Sequence, residues 1–316
     1  MLYTVFFSIN KKMFALQLKN LKKTYDNGFE AIKGIDLNVC QGDFFALLGA
    51  NGAGKSTTIG LICDLIKKTS GEIIINGHHL DKDKKAAKMS LGIVPQEFNL
   101  PVFETREEVL LNTAGFYGIP RHKAICRAHW LLAQLGLEDK KDNIVYQLSG
   151  GMKRRLMIAR SLIHKPKLLI LDEPSAGVDI EIRRSIWTFL KDINAHGTTI
   201  ILTTHYLEEA EQLCNQLAII HHGLIVEQCS VQELLASQKY QTYVFTTLHP
   251  IQNNPQLMEW QTKFINDFSF EVTMPKGDSL NQVFLKLVEQ NIHIQSVSHK
   301  TNRLEALFLE LIKDES

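Results

Sequence analysis

The sequence has almost no net charge. Lys and Arg total 35 against 34 for Asp and Glu, a balance of +1. That balance gives no general attraction to nucleic acid or to an anionic lipid surface. Cysteine is scarce and scattered: Cys40, Cys63, Cys126, Cys214 and Cys229. The count is odd, no CxxC occurs, and the closest pair is 15 positions apart. This excludes a disulfide framework or a thiolate metal site and fits reduced, structural thiols of a cytosolic compartment. No apolar run approaches the length that crosses a bilayer. The opening MLYTVFFSIN is too short to span, and no small-residue cleavage pattern follows it. Low-complexity tracts and solenoid repeats are absent as well.

What remains is a globular composition. The chain has 316 residues, 45% hydrophobic and 22% charged, enough for one large domain and a smaller one. The stretch MFALQLKNL reads as a complete first strand. Met13 is therefore the expected natural start and residues 1–12 a leader, with an ordered extra strand as the alternative. Phe14, Leu16 and Leu18 alternate with polar or small neighbours, as do Ile35, Leu37 and Val39. An apolar run at 44–48 leads through glycines into helical spacing at 55–66. A buried strand, a glycine loop and a helix in that order is an α/β signal. Helical spacing at 104–136 (Val109, Leu110, Ala114, then Ala124, Ala128, Leu131, Leu132, Leu135) predicts a mostly helical insertion. Strands and helices then alternate again at 167–171, 180–193, 198–203, 207–213 and 217–221.

A boundary is expected near residue 236, giving a main domain at 13–236 and an accessory α+β domain at 237–316. In the latter, Met258, Trp260, Thr262 and Phe264 alternate with polar residues, and Asn266 with Asp267 offers a turn. Phe268, Phe270, Val272 and Met274 alternate beyond it, which predicts a hairpin. A helix at 280–288, a strand at 292–297 and a last helix at 304–312 complete an expected ferredoxin-like unit that supports dimerisation or regulation. From Tyr240 onward six Lys and Arg face nine Asp and Glu, a net of −3 that does not suit nucleic acid.

The strongest motif is GANGAGKST at 49–57. It places Gly49, four residues, Gly54, Lys55 and Ser56 in phosphate-loop order. The glycines let backbone N–H groups curl round phosphates. Lys55 would neutralise the outer ones, and Ser56 would hold Mg²⁺. KLLILDEP at 167–174 is an apolar strand ending in Asp172 and Glu173. Strand ends of an α/β sheet are where ligands bind. Asp172 suits Mg²⁺ held through water, and Glu173 suits orienting or deprotonating an attacking water. The two motifs together point to nucleoside triphosphate hydrolysis. A third stretch, LSGGMKRRLMIARSL at 148–162, sets Ser149, Gly150 and Gly151 at a helix start. Unsatisfied N–H groups and the positive dipole end attract an anion there. Met152, Leu156, Ala159 and Ile163 share one helical face and are expected to be buried. Lys153, Arg154 and Arg155 fall largely on the other faces and are expected in solvent.

The order GANGAGKST, PQ at 95–96, LSGGM, LLILDEP and TTH at 203–205 resembles the nucleotide-binding domain of ABC transporters. Among phosphate-loop families the LSGG signature is specific to ABC-type ATPases. With EPSAGVD and LTTHYLEEAE, the chain is similar to the ATP-binding subunits of ABC-2-type exporters, most of all the YadG type, from Met13 through the C-terminal unit. The resemblance implies a RecA-like core with antiparallel β and helical subdomains. It also implies ATP and Mg²⁺ as ligands. On it, Tyr25 stacks on adenine, and Gly49, Asn51, Gly52, Gly54, Lys55, Ser56 and Thr57 surround the phosphates. Ser56, Gln96 and Asp172 meet Mg²⁺, and Gln96 links the site to a membrane subunit. Glu173 is the base, and His205 contacts the γ-phosphate and the water. Ser149, Gly150 and Gly151 bind the γ-phosphate of ATP held by a partner copy, and Asp179 crosses towards that copy. Met152 stands where the signature commonly has Gln, which weakens any role for that side chain and leaves the backbone donors intact.

The implied partners are a second copy, paired head to tail, and an integral membrane permease, with the chain on the cytoplasmic face of a bacterial membrane. The alternative is a soluble ABC-type ATPase that serves translation or assembly. An importer subunit is a third option, although importer C-terminal domains are usually larger barrels. The cargo is left open.

Overall fold

The computed structural model describes residues 13–138, 143–237, 239–300 and Leu304. The leader at 1–12 and the helix at 304–312, beyond its first residue, lie outside the described residues. The described chain forms two compact units that divide between Cys229 and Ser230.

In the first unit, period-two patterning builds an antiparallel hairpin, β1 (Phe14–Thr24) and β2 (Glu30–Cys40). Leu16 pairs with Val39, Leu18 with Leu37 and Leu21 with Ile35, so one face of the hairpin is wholly apolar and buried. The continuous apolar run becomes β3 (Phe44–Leu48), buried at every residue. A strand covered on both faces has no polar side to show, which is why it reads as a run rather than an alternation. Next come α1 (Lys55–Ile62), β4 (Ser70–Ile75), β5 (His78–His79), α2 (Lys84–Met89) and β6 (Leu91–Val94). Two helices of the expected insertion follow, α3 (Arg106–Phe116) and α4 (Arg121–Gln134), and then α5 (Gly150–Leu162). The alternating half is β7 (Leu168–Asp172), α6 (Ile180–Ala195), β8 (Thr199–Thr203), α7 (Leu207–Leu213), β9 (Gln216–His221) and β10 (Leu224–Ser230).

Two sheets result. One has the order β2-β1-β4-β5 and the other β10-β9-β3-β8-β7-β6. In the second, β9, β3, β8, β7 and β6 pair in parallel, so their carboxyl ends share one edge. A single core joins the sheets: Leu16, Ile35, Ile73 and Ile75 from one pack with Phe45, Leu47, Ile170 and Ile201 from the other, α1 contributing Ile59 and Ile62. Each such side chain contributes roughly 1.5–3 kcal/mol on burial. The buried cysteines Cys63 and Cys214 suit a packing role. Burial pushes the Cys63 thiol up to about 12 and the Cys214 thiol well above its ordinary value. Helix α1 ends four residues before the spacing predicts. Asp64 turns left-handed at φ 58°, and the N–H groups of Leu65 and Ile66 both return to the Gly60 carbonyl.

The second unit opens with α8 (Val231–Ser237) and continues as β11 (Tyr240–Thr247), β12 (Gln261–Asn266), β13 (Ser269–Pro275), α9 (Leu280–Glu289) and β14 (Ile294–His299). Its antiparallel sheet runs β12-β13-β11-β14, which counted along the unit is the order of a split βαβ sheet. The helix that such a fold places between its first two strands is absent; residues 248–260 cross without one. The β12–β13 hairpin forms with Phe264 opposite Phe270. Phe270 is fully buried whereas Phe264 is 38% exposed, because β12 is the edge strand. Met258 lies before the strand and is 96% exposed, so the alternation does not extend back to it. The unit has its own core of Phe245, Trp260, Phe270, Val272, Met274, Val283 and Leu287. Among the described residues no helix is long and apolar enough to cross a membrane.

Candidate active site

The carboxyl ends of β3, β7 and β8 lie side by side, and each delivers part of one site. From β3 the chain enters the glycine loop. Gly54 sits at φ 117°, and a side chain there would strike Ile32 at 2.8 Å and the Ala31 carbonyl at 3.1 Å. Only glycine allows that turn. It also seats the loop against β2, just beyond the hairpin bend that carries Tyr25. Tyr25 closes that bend through its backbone, with the Lys23 ammonium 4.8 Å from its ring centre. No side chain caps α1, because its N-cap is Gly54. The first-turn N–H groups are therefore left for an anion. Ser56 is exposed and Thr57 half-buried beside them. Lys55 is only 7% exposed, and its ammonium donates to the Gly49 and Ala50 carbonyls at 2.7 and 3.0 Å. Burial holds its pKa down, against the pull of Glu173 and Asp172. A desolvated cation curled into an N–H-rich loop is a phosphate cradle, so the residues present fit a nucleotide.

From β7 come Asp172 and Glu173. Burial raises the Asp172 pKa, and the Thr203 hydroxyl, which donates to Asp172 Oδ1, works against that. Glu173 follows at φ 48°, a left-handed conformation that is uncommon for a residue with a side chain. Its N–H is held by the Thr203 carbonyl at 3.1 Å. The turn aims the carboxylate at two partners. Gln96 Nε2 donates to Glu173 Oε2 at 3.2 Å, and His205 Nδ1 lies 3.2 Å from Glu173 Oε1. Gln96 follows β6 and His205 follows β8, so residues 77 and 32 positions away in sequence meet on one carboxylate.

The signature forms a separate cluster. Ser149 caps α5, its hydroxyl accepting from the Met152 N–H at 3.3 Å. Gly151 packs so closely on Ile182 that an added carbon would approach it to 2.7 Å. Asp179 caps α6, accepting from the Ile182 N–H at 2.8 Å, and so stands beside the signature. Among the described residues no hydrogen bond or ion pair joins Ser149, Gly150 or Gly151 to the glycine loop or to Glu173.

Two expectations about α5 need correction. Met152 is half-buried rather than part of the core, whereas Leu156, Ala159 and Ile163 are buried. Arg154, expected in solvent, is 3% exposed. It donates to the Pro95 and Gln96 carbonyls at 2.8 and 2.7 Å. Arg155 is half-buried and donates to the Leu135 carbonyl at 2.8 Å. Thr203 is the other site residue to which no role was assigned: it lies in the TTH stretch, from which only His205 was singled out.

Comparison with known proteins identifies the family. The ABC transporter family matches residues 32–176. The linearmycin resistance ATP-binding protein LnrL of Bacillus subtilis (strain 168) is 34% identical over 304 residues, spanning 94% of this chain and 97% of that protein. A Nod factor export ATP-binding protein I of Cupriavidus metallidurans is 40% identical, over 71% of this chain and 73% of that protein. A methionine import ATP-binding protein MetN of Helicobacter acinonychis is also 40% identical, over 71% and 70%. Among solved structures, the ATP-binding subunit of an ABC transporter superposes with TM-score 0.66 at 30% identity, covering 70% of this chain and 92% of that one. A dimeric, post-hydrolysis ATP-binding cassette with ADP and Pi superposes with TM-score 0.63 at 29% identity, covering 68% and 98%. The chain belongs to the ABC transporter ATP-binding family and is an ATPase.

Proposed function

We propose that the chain is the ATP-hydrolysing subunit of an ABC-2-type exporter, working as a head-to-tail pair beneath a separate membrane permease. The observation that carries the reading is the meeting of Gln96 and His205 on Glu173 while the signature end of α5 stands apart. A lone chain then has half of a site at each cluster, and a second copy supplies the other half. In the completed site Tyr25 covers the base, and the glycine loop with Lys55 and Thr57 holds the phosphates. Ser149, Gly150 and Gly151 of the other copy close over the outermost one. Ser56, Gln96 and Asp172 would hold Mg²⁺, which when bound there would neutralise phosphate charge. Among the described residues no three His, Cys, Asp or Glu side chains gather into a metal site, so such an ion depends on nucleotide oxygens. Glu173 takes the proton from the attacking water, His205 orients that carboxylate, and Thr203 fixes the backbone that presents it. Asp179 orders the loop leading across to the partner.

Export is favoured over import by the relative that spans 94% of this chain, a protein named for linearmycin resistance. Docking on a permease is supported by exposed apolar residues in the segment that follows Gln96 in sequence. Phe103 and Phe116 are 84% and 90% exposed, with Phe98 and Val102 also open. Co-purification with a protein of several membrane spans, lost on Phe103→Asp with ATP binding unchanged, is the expected outcome. Co-purification with ribosomes and with no membrane protein would instead support a soluble ATPase.

A further inference from the structure

Arg154 stands one turn into α5, six residues before Arg160. A guanidinium that is 3% exposed is costly unless its N–H groups find acceptors. No carboxylate lies within ion-pair distance of it among the described residues. The acceptors are two successive carbonyls, Pro95 at 2.8 Å and Gln96 at 2.7 Å, reached by the two terminal nitrogens of one planar fork. The Phe98 ring lies 5.1 Å from the guanidinium carbon. Arg160 extends the grip, donating to the Asn99 carbonyl at 2.8 Å and to the Asn99 side chain at 2.5 Å. Among the described residues, every hydrogen bond that reaches the main chain of residues 95–99 comes from these two arginines. Among the described residues the main chain of the loop that carries Gln96 is therefore held from α5 alone, while the Gln96 side chain reaches Glu173. The loop is hung from the helix whose first residues are the signature.

We propose that Arg154 is a positioning residue. It sets Gln96 against Glu173 and makes the state of the signature end of α5 felt at the Glu173 of the same chain. The proposal rests on the composite-site reading above. There the signature meets the nucleotide of the other copy, while Gln96 and Glu173 serve the chain's own. Each α5 then reports its neighbour's nucleotide to its own Gln96, and the two sites become coupled in both directions. Arg160 steadies the far end of the loop.

The test compares Arg154→Lys, Arg160→Gln and the wild type in the full chain. Lysine keeps the positive charge near Asp172 and Glu173 but cannot fork between two carbonyls. In Arg154→Lys, ATP binding to the single chain stays within about twofold, and kcat falls about tenfold or more. The Hill coefficient for ATP drops towards one, and amide exchange at residues 96–99 speeds up with no nucleotide present. Arg160→Gln shifts the same quantities in the same direction, by less. Native kcat, cooperativity and exchange in a folded Arg154→Lys chain would overturn the proposal. Should Arg154→Lys fail to fold, native exchange and cooperativity in Arg160→Gln overturn it instead. A wild-type chain that never pairs with ATP sinks the composite site and the coupling across copies. The exchange measurement still reads the grip on Gln96 separately.

Discussion

At the scale of single residues, the site is a carboxylate held in a strained turn and addressed from two sides. Thr203 serves both members of the acidic pair, donating to Asp172 and holding the Glu173 N–H. Burial raises the Asp172 pKa, the Thr203 bond lowers it, and the Glu173 charge raises it again. Removing the hydroxyl leaves the raising influences in place. Thr203→Val should therefore move the acid limb of the ATPase pH profile to higher pH; an unmoved limb contradicts the assignment. Glu173→Gln should lower kcat by about 10²-fold or more while nucleotide binding survives. Lys55, Asp172 and Glu173 were singled out by motif spacing, and Gln96 and His205 by the family resemblance. Arg154 was not. A helical wheel assigns a face, but the carbonyls that bury Arg154 belong to a loop almost sixty residues earlier, which no local pattern encodes.

At the scale of elements, long periodic segments were legible and their ends less so. The insertion helices form where the spacing places them, and α3 begins with a full capping box between Thr105 and Glu108. Thr105→Ala should cost about 1 kcal/mol of stability in denaturant unfolding and leave ATP binding unchanged. A larger loss with weakened nucleotide binding would show that α3 is tied to the site. The premature end of α1 follows from an aspartate in a left-handed turn, a choice that apolar spacing does not report. Strand β11 escaped because it lies next to the expected boundary. It is nonetheless the strand that pairs on one side with β13 and on the other with β14.

At the scale of the whole molecule, each of the two units has a buried core of its own among the described residues, and the second has no motif chemistry of its own. Phe270→Ala should destabilise that unit by about 3–5 kcal/mol, seen as new proteolytic cleavage beyond residue 230, with ATP affinity kept. Lost affinity would mean that the first unit depends on the second. The central claim is that one chain holds two unlike half-sites. Mixing two inactive variants, Lys55→Ala and Ser149→Arg, tests it most directly. A mixed pair joins the intact glycine loop of one copy to the intact signature of the other. Half of random pairs are mixed, each with one working site, so ATPase activity should reappear, up to about a quarter of the wild-type rate if each site works alone and below that to the extent that the sites are coupled. A mixture as inactive as its components would contradict the account.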